Sequence, residues 1–221
     1  LAIGESLNPH HVSALGYERD TTPELKALMQ QYQGTGRLIV SNAVSTRVAI
    51  PMLVNNLREP DNYGAYKSKS TNIFTNAKKR GYQTAFISAQ GLEGLSNWIG
   101  IHDIDLWEDT QIRPAPDVGA DVVLTPSVEQ AKLDWNKPFL MVLNSRAPHI
   151  PYERNIPQGF AKFSTPRPDD DVAQKKNEYD DAVRLYDREL ASAIRTAMAK
   201  SKLPVLVFIT SDHGERVGDG G

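Results

Sequence analysis

The run VLVFITS, Val205 to Ser211, constrains this chain more than any other stretch. It is continuously apolar and β-branched, which predicts a fully buried strand of a parallel sheet. It stops at once on Asp212, His213, Gly214 and Glu215. Open α/β sheets bind ligands just beyond the carboxyl ends of their strands, so a carboxylate and an imidazole released there are placed for chemistry. The pair also makes half of a site for zinc or manganese. A turn with a capping Asp and a solvated His is the plainer alternative.

A chain of 221 residues, 40% hydrophobic, can bury one large core. The 25 basic residues are balanced by 27 acidic ones with no basic block, which argues against nucleic acid as a partner. Without cysteine there is neither a disulfide framework nor a thiolate metal site. No apolar run reaches the roughly 20 residues that span a bilayer, and no signal-peptide pattern opens the chain. LAIGES begins inside an apolar run and VGDGG ends without a closing element, so an excised or truncated single catalytic domain is expected over residues 1–221.

Leu1 to Gly4 reads as the end of a strand, with Glu5 at its carboxyl end as a second acidic ligand or as a helix-capping surface residue. His10 and His11 are adjacent and cannot share a helix face, so at most one points at any site. Thr22, Pro23 and Glu24 form a helix start running to about Tyr32, with Thr22 as N-cap. RLIV, Arg37 to Val40, is expected as a short buried strand. A short helix must then begin beside Ser45 and Thr46, because Pro51 is tolerated only near a helix start. A hydroxyl there, among free N–H groups, suits a nucleophile for phosphoryl or sulfuryl transfer, although Ser and Thr are also ordinary caps.

Further helices are expected over Ser70–Gly81, Ser127–Asp134 and Asn177–Lys200. Strands are expected over Tyr82–Ser88, around Leu106, and over Pro138–Ser145. Gln90 and the region of Trp98 follow the first of these strands as candidate substrate contacts or an ordinary polar loop. His149 follows the last. Strands alternating with helices predict an α/β fold with a mostly parallel central sheet and helices on both faces. Glu5, Thr46, Asp212 and His213 then form a set of hard oxygen and nitrogen ligands around one hydroxyl. A divalent ion there lowers the hydroxyl's pKa and neutralises charge on a transferring phosphoryl group, predicting a covalent phosphothreonine.

At these residues the chain resembles the phosphoethanolamine transferases of the alkaline phosphatase and sulfatase superfamily. GES with HVSALGYERDTTP, STRVAIP, NEYDDAVRLYD, and SDHGE with VGDGG match in the family's order over nearly the whole chain. The resemblance implies an alkaline phosphatase/sulfatase-like fold. It makes Thr46 the nucleophile, Glu5, Asp212 and His213 its zinc partners (manganese or magnesium being the alternatives), and His149 a residue of the substrate-side motif.

It further implies a periplasmic domain anchored at the bacterial inner membrane. The donor is phosphatidylethanolamine, and the acceptor lipid A, the lipopolysaccharide core or a periplasmic glucan. The chain departs from the family at several points. The cysteines flanking the nucleophile are absent, with Asn42 and Met52 nearby; Asn144 stands where some members have a further His; the loop after Ser88 lacks their Asn-rich pattern; and a later family His would fall beyond Gly221. A metal-dependent sulfatase or phosphatase and a phosphoglycerol transferase share the fold, but STRVA lacks the proline of the sulfatase C/S-x-P-x-R pattern. A non-catalytic glycan- or lipid-binding remnant is the alternative from another class, and should bind no stoichiometric zinc.

Overall fold

The computed structural model describes residues 1–59, 63–164 and 171–218. Five parallel strands form one sheet in the order β3-β2-β4-β1-β5. They are β1 (Ala2–Gly4), β2 (Gln83–Ser88), β3 (Leu106–Glu108), β4 (Phe139–Asn144) and β5 (Ile209–Ser211). The helices are α1 (Pro23–Gln31), α2 (Thr46–Val54), α3 (Tyr63–Ser68), α4 (Ile73–Lys79), α5 (Ser96–Ile99), α6 (Leu124–Gln130) and α7 (Asp171–Lys200).

Alternation along the strands divides the core. Ala2, Ala85, Ile87, Met141 and Leu143 face one way, onto Leu25 and Leu28 of α1, Leu124 and Val128 of α6, and Leu190 and Ile194 of α7. Ile3, Phe86 and Val142 face the other, onto Ile50 and Val54 of α2, Phe74 of α4 and Ile99 of α5. Successive side chains of a strand point to opposite faces, so a run apolar at every position needs helices on both. That is the architecture expected from the sequence.

Two expected strands are corrected. RLIV, Arg37 to Val40, is not a strand, and its apolar residues are exposed, Val40 at 97%. The run from Val205 is a strand only over Ile209–Ser211, at the sheet edge, and Leu206 and Phe208 are exposed at 75% and 62%. The β1 ladder pairs only Ala2–Gly4 with Ile209–Ser211, so residues 205–208 have no strand beside them among the described residues. A cleft of about 680 Å³ separates this run from Arg37, Ile39 and Ser41. Apolarity alone does not say whether a neighbour is present to cover it. The helix expected over Ser127–Asp134 lies earlier, with Pro126 in its first turn, where its missing N–H costs nothing.

The long helix α7 does more than fill the core. Its three buried aspartates each hold a loop. Asp180 takes His11, Tyr17 and Arg19; Asp181 takes the backbone N–H groups of Lys162, Phe163 and Ser164; Asp187 takes those of Glu24 and Leu25. Thr22 occupies the expected cap position of α1 but makes no side-chain cap bond, its hydroxyl accepting instead from Ala14 N–H at 2.9 Å. The first turn of α1 is satisfied from α7, by Asp187 at 2.8 Å.

Burial pushes the Asp187 carboxyl up to about 7, only partly offset by those two N–H donors. The folded state therefore holds a proton there that the unfolded chain releases near pH 4. Its stabilising contribution is complete below that pH and is lost as pH rises through about 7. In Asp187→Asn, the stability lost between pH 5 and pH 8 should shrink by about 2 kcal/mol relative to the parent, read by urea unfolding. An unchanged pH dependence would show that Asp187 titrates as it does in the unfolded chain.

Candidate metal centre

The centre forms where β1, β4 and β5 end side by side, on the same edge of the sheet. Gly4 closes β1, and a Cβ there would meet the Tyr186 ring at 3.2 Å, so glycine lets α7 pack under the strand end without displacing that ring by a few tenths of an ångström. Glu5 follows, 1% exposed, and Ser6 turns the chain with φ +54°. The loops after β1 and β5 are tied together across the edge. Ser6 N–H donates to Asp212 Oδ1 at 3.0 Å, Leu7 N–H to Ser211 Oγ at 3.0 Å, and the Asn8 amide to the Glu215 carbonyl at 3.0 Å. Tyr179 of α7 donates its hydroxyl to the Ser6 carbonyl and accepts from Asn8 N–H, both at 2.7 Å.

Thr46 is the first residue of α2, with Ser45 at the cap position, as expected, although Pro51 lies inside the helix in its second turn and not at the start. A strand does not deliver it. The loop before it is pinned by Ser41, which donates to the Asp212 carbonyl at 2.5 Å, and by Asn42, which donates to the Leu57 carbonyl at 2.8 Å. Thr46 Oγ1 donates to both oxygens of Glu5, at 2.9 and 3.0 Å, and lies 3.5 Å from His213 Nε2. His213 Nε2 is also 3.5 Å from Glu5 Oε1 and from Asp212 Oδ2. Its other nitrogen, Nδ1, faces the Gly214 carbonyl at 2.7 Å. A proton held at Nδ1 by that carbonyl leaves Nε2 with its lone pair towards the cluster, the usual orientation of a metal-binding His.

Among the described residues, Glu5, Asp212 and His213 are the group whose donor atoms converge, all within 4.8 Å of one another. Two buried carboxylates face each other here. Burial and then the Glu5 charge raise the Asp212 carboxyl above its usual range. Asp212 Oδ1 accepts from Ser6 and His213 N–H, while Oδ2 is buried and accepts no hydrogen bond from the described residues. An orphaned carboxylate oxygen at the centre of such a set calls for a cation. A tetrahedral ion with donors at about 2.0–2.1 Å spaces them about 3.3–3.4 Å apart, close to the 3.5 Å contacts of His213 Nε2. These residues fit a zinc-like ion, with Thr46 Oγ1 as the fourth donor.

The other candidates fall outside the ligand set. His149 Nδ1 faces the carbonyl of its neighbour Ile150, and none of its hydrogen bonds reaches the cluster. His10 is exposed; His11 is buried, 2.6 Å from Asp180, and packs on the rings of Tyr17 and Tyr179. The Trp98 carbonyl accepts from Asn55 at 2.7 Å in a structural contact. Gln90 does reach the site: its Nε2 donates to Glu5 Oε2 at 2.8 Å and to the Ser145 carbonyl at 3.1 Å. Ser6, Ser211 and Tyr179 carry no sequence signal as site residues, because they act through turn geometry and cross-strand contact. Residues 219–221 of the VGDGG match lie outside the described residues.

A five-stranded parallel sheet carrying this carboxylate-imidazole cluster at its strand ends defines an α/β domain with a candidate metal centre. The sulfatase family profile matches residues 1–221, and the chain belongs to that family. It is 29% identical over 242 residues to phosphoethanolamine transferase EptC of Escherichia coli strain K12, covering 99% of this chain and 40% of that protein. It is 24% identical over 226 residues to the Kdo(2)-lipid A phosphoethanolamine 7''-transferase of the same strain, covering 98% and 39%. The chain thus spans about 40% of the length of these relatives.

Two solved folds are similar. The zinc complex of the C-terminal periplasmic domain of EcEptC from Escherichia coli matches with a TM-score of 0.72 at 24% identity, over 99% of this chain and 64% of that one. The soluble domain of lipooligosaccharide phosphoethanolamine transferase A from Neisseria meningitidis matches with a TM-score of 0.73 at 19% identity, over 99% and 67%. No helix among the described residues is long and apolar enough to cross a membrane.

Proposed function

We propose that this chain is the catalytic domain of a phosphoethanolamine transferase. It takes phosphoethanolamine from phosphatidylethanolamine onto Thr46 and passes it to a lipid A, lipopolysaccharide core or periplasmic glucan hydroxyl at the periplasmic face of the inner membrane. The observation that carries this reading is the Thr46 hydroxyl. It opens α2 and is held by both oxygens of Glu5, 3.5 Å from His213 Nε2. The relatives named phosphoethanolamine transferases support the reaction class, and the zinc complex of a similar fold supports zinc as the ion.

Glu5, Asp212 and His213, with Thr46 Oγ1, would hold the zinc. When bound, it lowers the pKa of the Thr46 hydroxyl and offsets charge on the phosphoryl oxygens. Thr46 Oγ1 forms a bond to the donor phosphorus as the bond from phosphorus to the diacylglycerol oxygen breaks, and the proton lost by Thr46 passes to that oxygen. The unpaired N–H groups at the start of α2 favour the anionic phosphoryl group. In the second half the acceptor hydroxyl attacks phosphorus, the bond to Thr46 Oγ1 breaks, and His149 takes the acceptor's proton. His149 suits that step because it follows β4 into the loop beside the centre and stays out of the ligand set.

Incubating the zinc-loaded protein with phosphatidylethanolamine in micelles should give a phosphoethanolamine adduct by intact mass, discharged by added lipid A. His149→Ala should slow discharge more than formation. Adduct release to water at the same rate with and without acceptor would make the protein a phosphodiesterase instead. A protein that binds no zinc and forms no adduct would be a binding remnant.

A further inference from the structure

β4 contributes to the same edge of the sheet as β1 and β5, yet none of its residues holds the metal. The ladder ends on the pair Ile3 and Asn144, and Glu5 and Arg146 are each two residues further along their own chain segments. The backbone there is fixed. Ser145 N–H donates to the Ile3 carbonyl at 3.0 Å, and Arg146 and Ala147 N–H donate to the two oxygens of Asp121 at 2.6 and 2.7 Å. A single amide nitrogen, Gln90 Nε2, bridges the Ser145 carbonyl and Glu5 Oε2. Arg146 therefore leaves the chain immediately beside the centre.

The Arg146 guanidinium is half-buried and makes no hydrogen bond or ion pair with any described residue. Glu5 does not neutralise it by contact, because its oxygens are already taken by Ser6, Thr46 and Gln90. Burial lowers the Arg146 pKa; the charges of Glu5 and Asp121 act in the opposite sense, and the cation Arg154 adds to the lowering. A half-buried cation with its five N–H donors unused is costly unless an anion accepts from them. Guanidinium matches phosphate oxygens bidentately, which a lysine ammonium cannot do.

We propose that Arg146 binds the oxygens of the phosphoryl group being transferred, as a substrate-binding residue of the Glu5–Asp212–His213 centre. The inference rests on the phosphoryl-transfer reading above. Arg146 grips two non-bridging oxygens of that group. No bond is made or broken at Arg146.

The test uses the zinc-loaded chain with inorganic phosphate as probe, titrated by calorimetry in the parent, Arg146→Ala and Arg146→Lys. Phosphate affinity should fall at least about 10-fold in the alanine variant and recover in part in the lysine variant, with zinc stoichiometry equal in all three. Equal phosphate affinity in parent and alanine variant, or no phosphate binding by the zinc-loaded parent, overturns the proposal. With the donor lipid, Arg146→Ala should slow formation of the Thr46 adduct; an effect confined to adduct discharge also overturns it. The two readings fail separately. Arg146-dependent phosphate binding without any adduct removes the transferase, and an adduct forming equally well in Arg146→Ala removes only the role of Arg146.

Discussion

Thr46→Ala should form no covalent adduct with phosphatidylethanolamine and should lower transfer by at least about 10³–10⁴-fold, because the group that bonds to phosphorus is gone. The replacement removes one hydroxyl from the first turn of a helix. The chain should fold unchanged, because α2 is anchored by Ala49, Ile50, Met52 and Val54, all nearly fully buried. The zinc content should fall only modestly, since Glu5, Asp212 and His213 remain. Thr46→Ser keeps a primary hydroxyl at the same place and should retain an adduct, formed more slowly. An undiminished adduct in Thr46→Ala would move the nucleophile, with Ser45 the first residue to replace.

Asp212→Asn should weaken zinc binding on the order of 10²–10³-fold and remove the stabilisation that zinc gives the folded chain. The same substitution should act in the opposite direction on the metal-free protein. There Asp212 and Glu5 are two buried carboxylates at one site, and burial with the Glu5 charge already raises the Asp212 carboxyl. Neutralising one of them relieves the repulsion, so the metal-free variant should unfold at a higher urea concentration than the metal-free parent. Urea titrations with zinc and with chelator measure both effects on one protein. A variant less stable than the parent under both conditions would assign Asp212 a purely structural role, through its bonds to Ser6 and His213 N–H. His213→Ala should lose zinc to a similar extent without the gain in the metal-free state, because it removes no negative charge.

Much of the centre was legible because each of its residues follows a recognisable local signal. Asp212 and His213 end an apolar run, Glu5 ends another, and Ser45 and Thr46 stand where a helix cap precedes an apolar run. Such signals are short-range and survive without knowledge of the rest of the fold. Gln90 was visible only as a polar residue after a strand; its bond to Glu5 spans 85 residues of sequence. The aspartates of α7 were hidden for a related reason. Charged residues between the apolar positions of a helix read as solvated, and nothing local distinguishes Asp180, Asp181 and Asp187, which are buried, from Glu189, which pairs with its neighbour Arg188.

The sequence by itself determined the alternation of strands and helices, the two-sided burial of β2 and β4, the start of α2 and the residue types at three strand ends. Each of these depends on side-chain periodicity, backbone restriction or charge within about ten residues of chain. Only the tertiary structure decided the strand order that sets β1 between β4 and β5, and so brought Glu5, Asp212 and His213 to within 4.8 Å. It also decided that RLIV, Leu206 and Phe208 lie exposed in spite of their apolar composition. Hydrophobicity states what a segment gains if it is covered. Whether it is covered depends on which other segment lies across from it, and that is a property of chain topology.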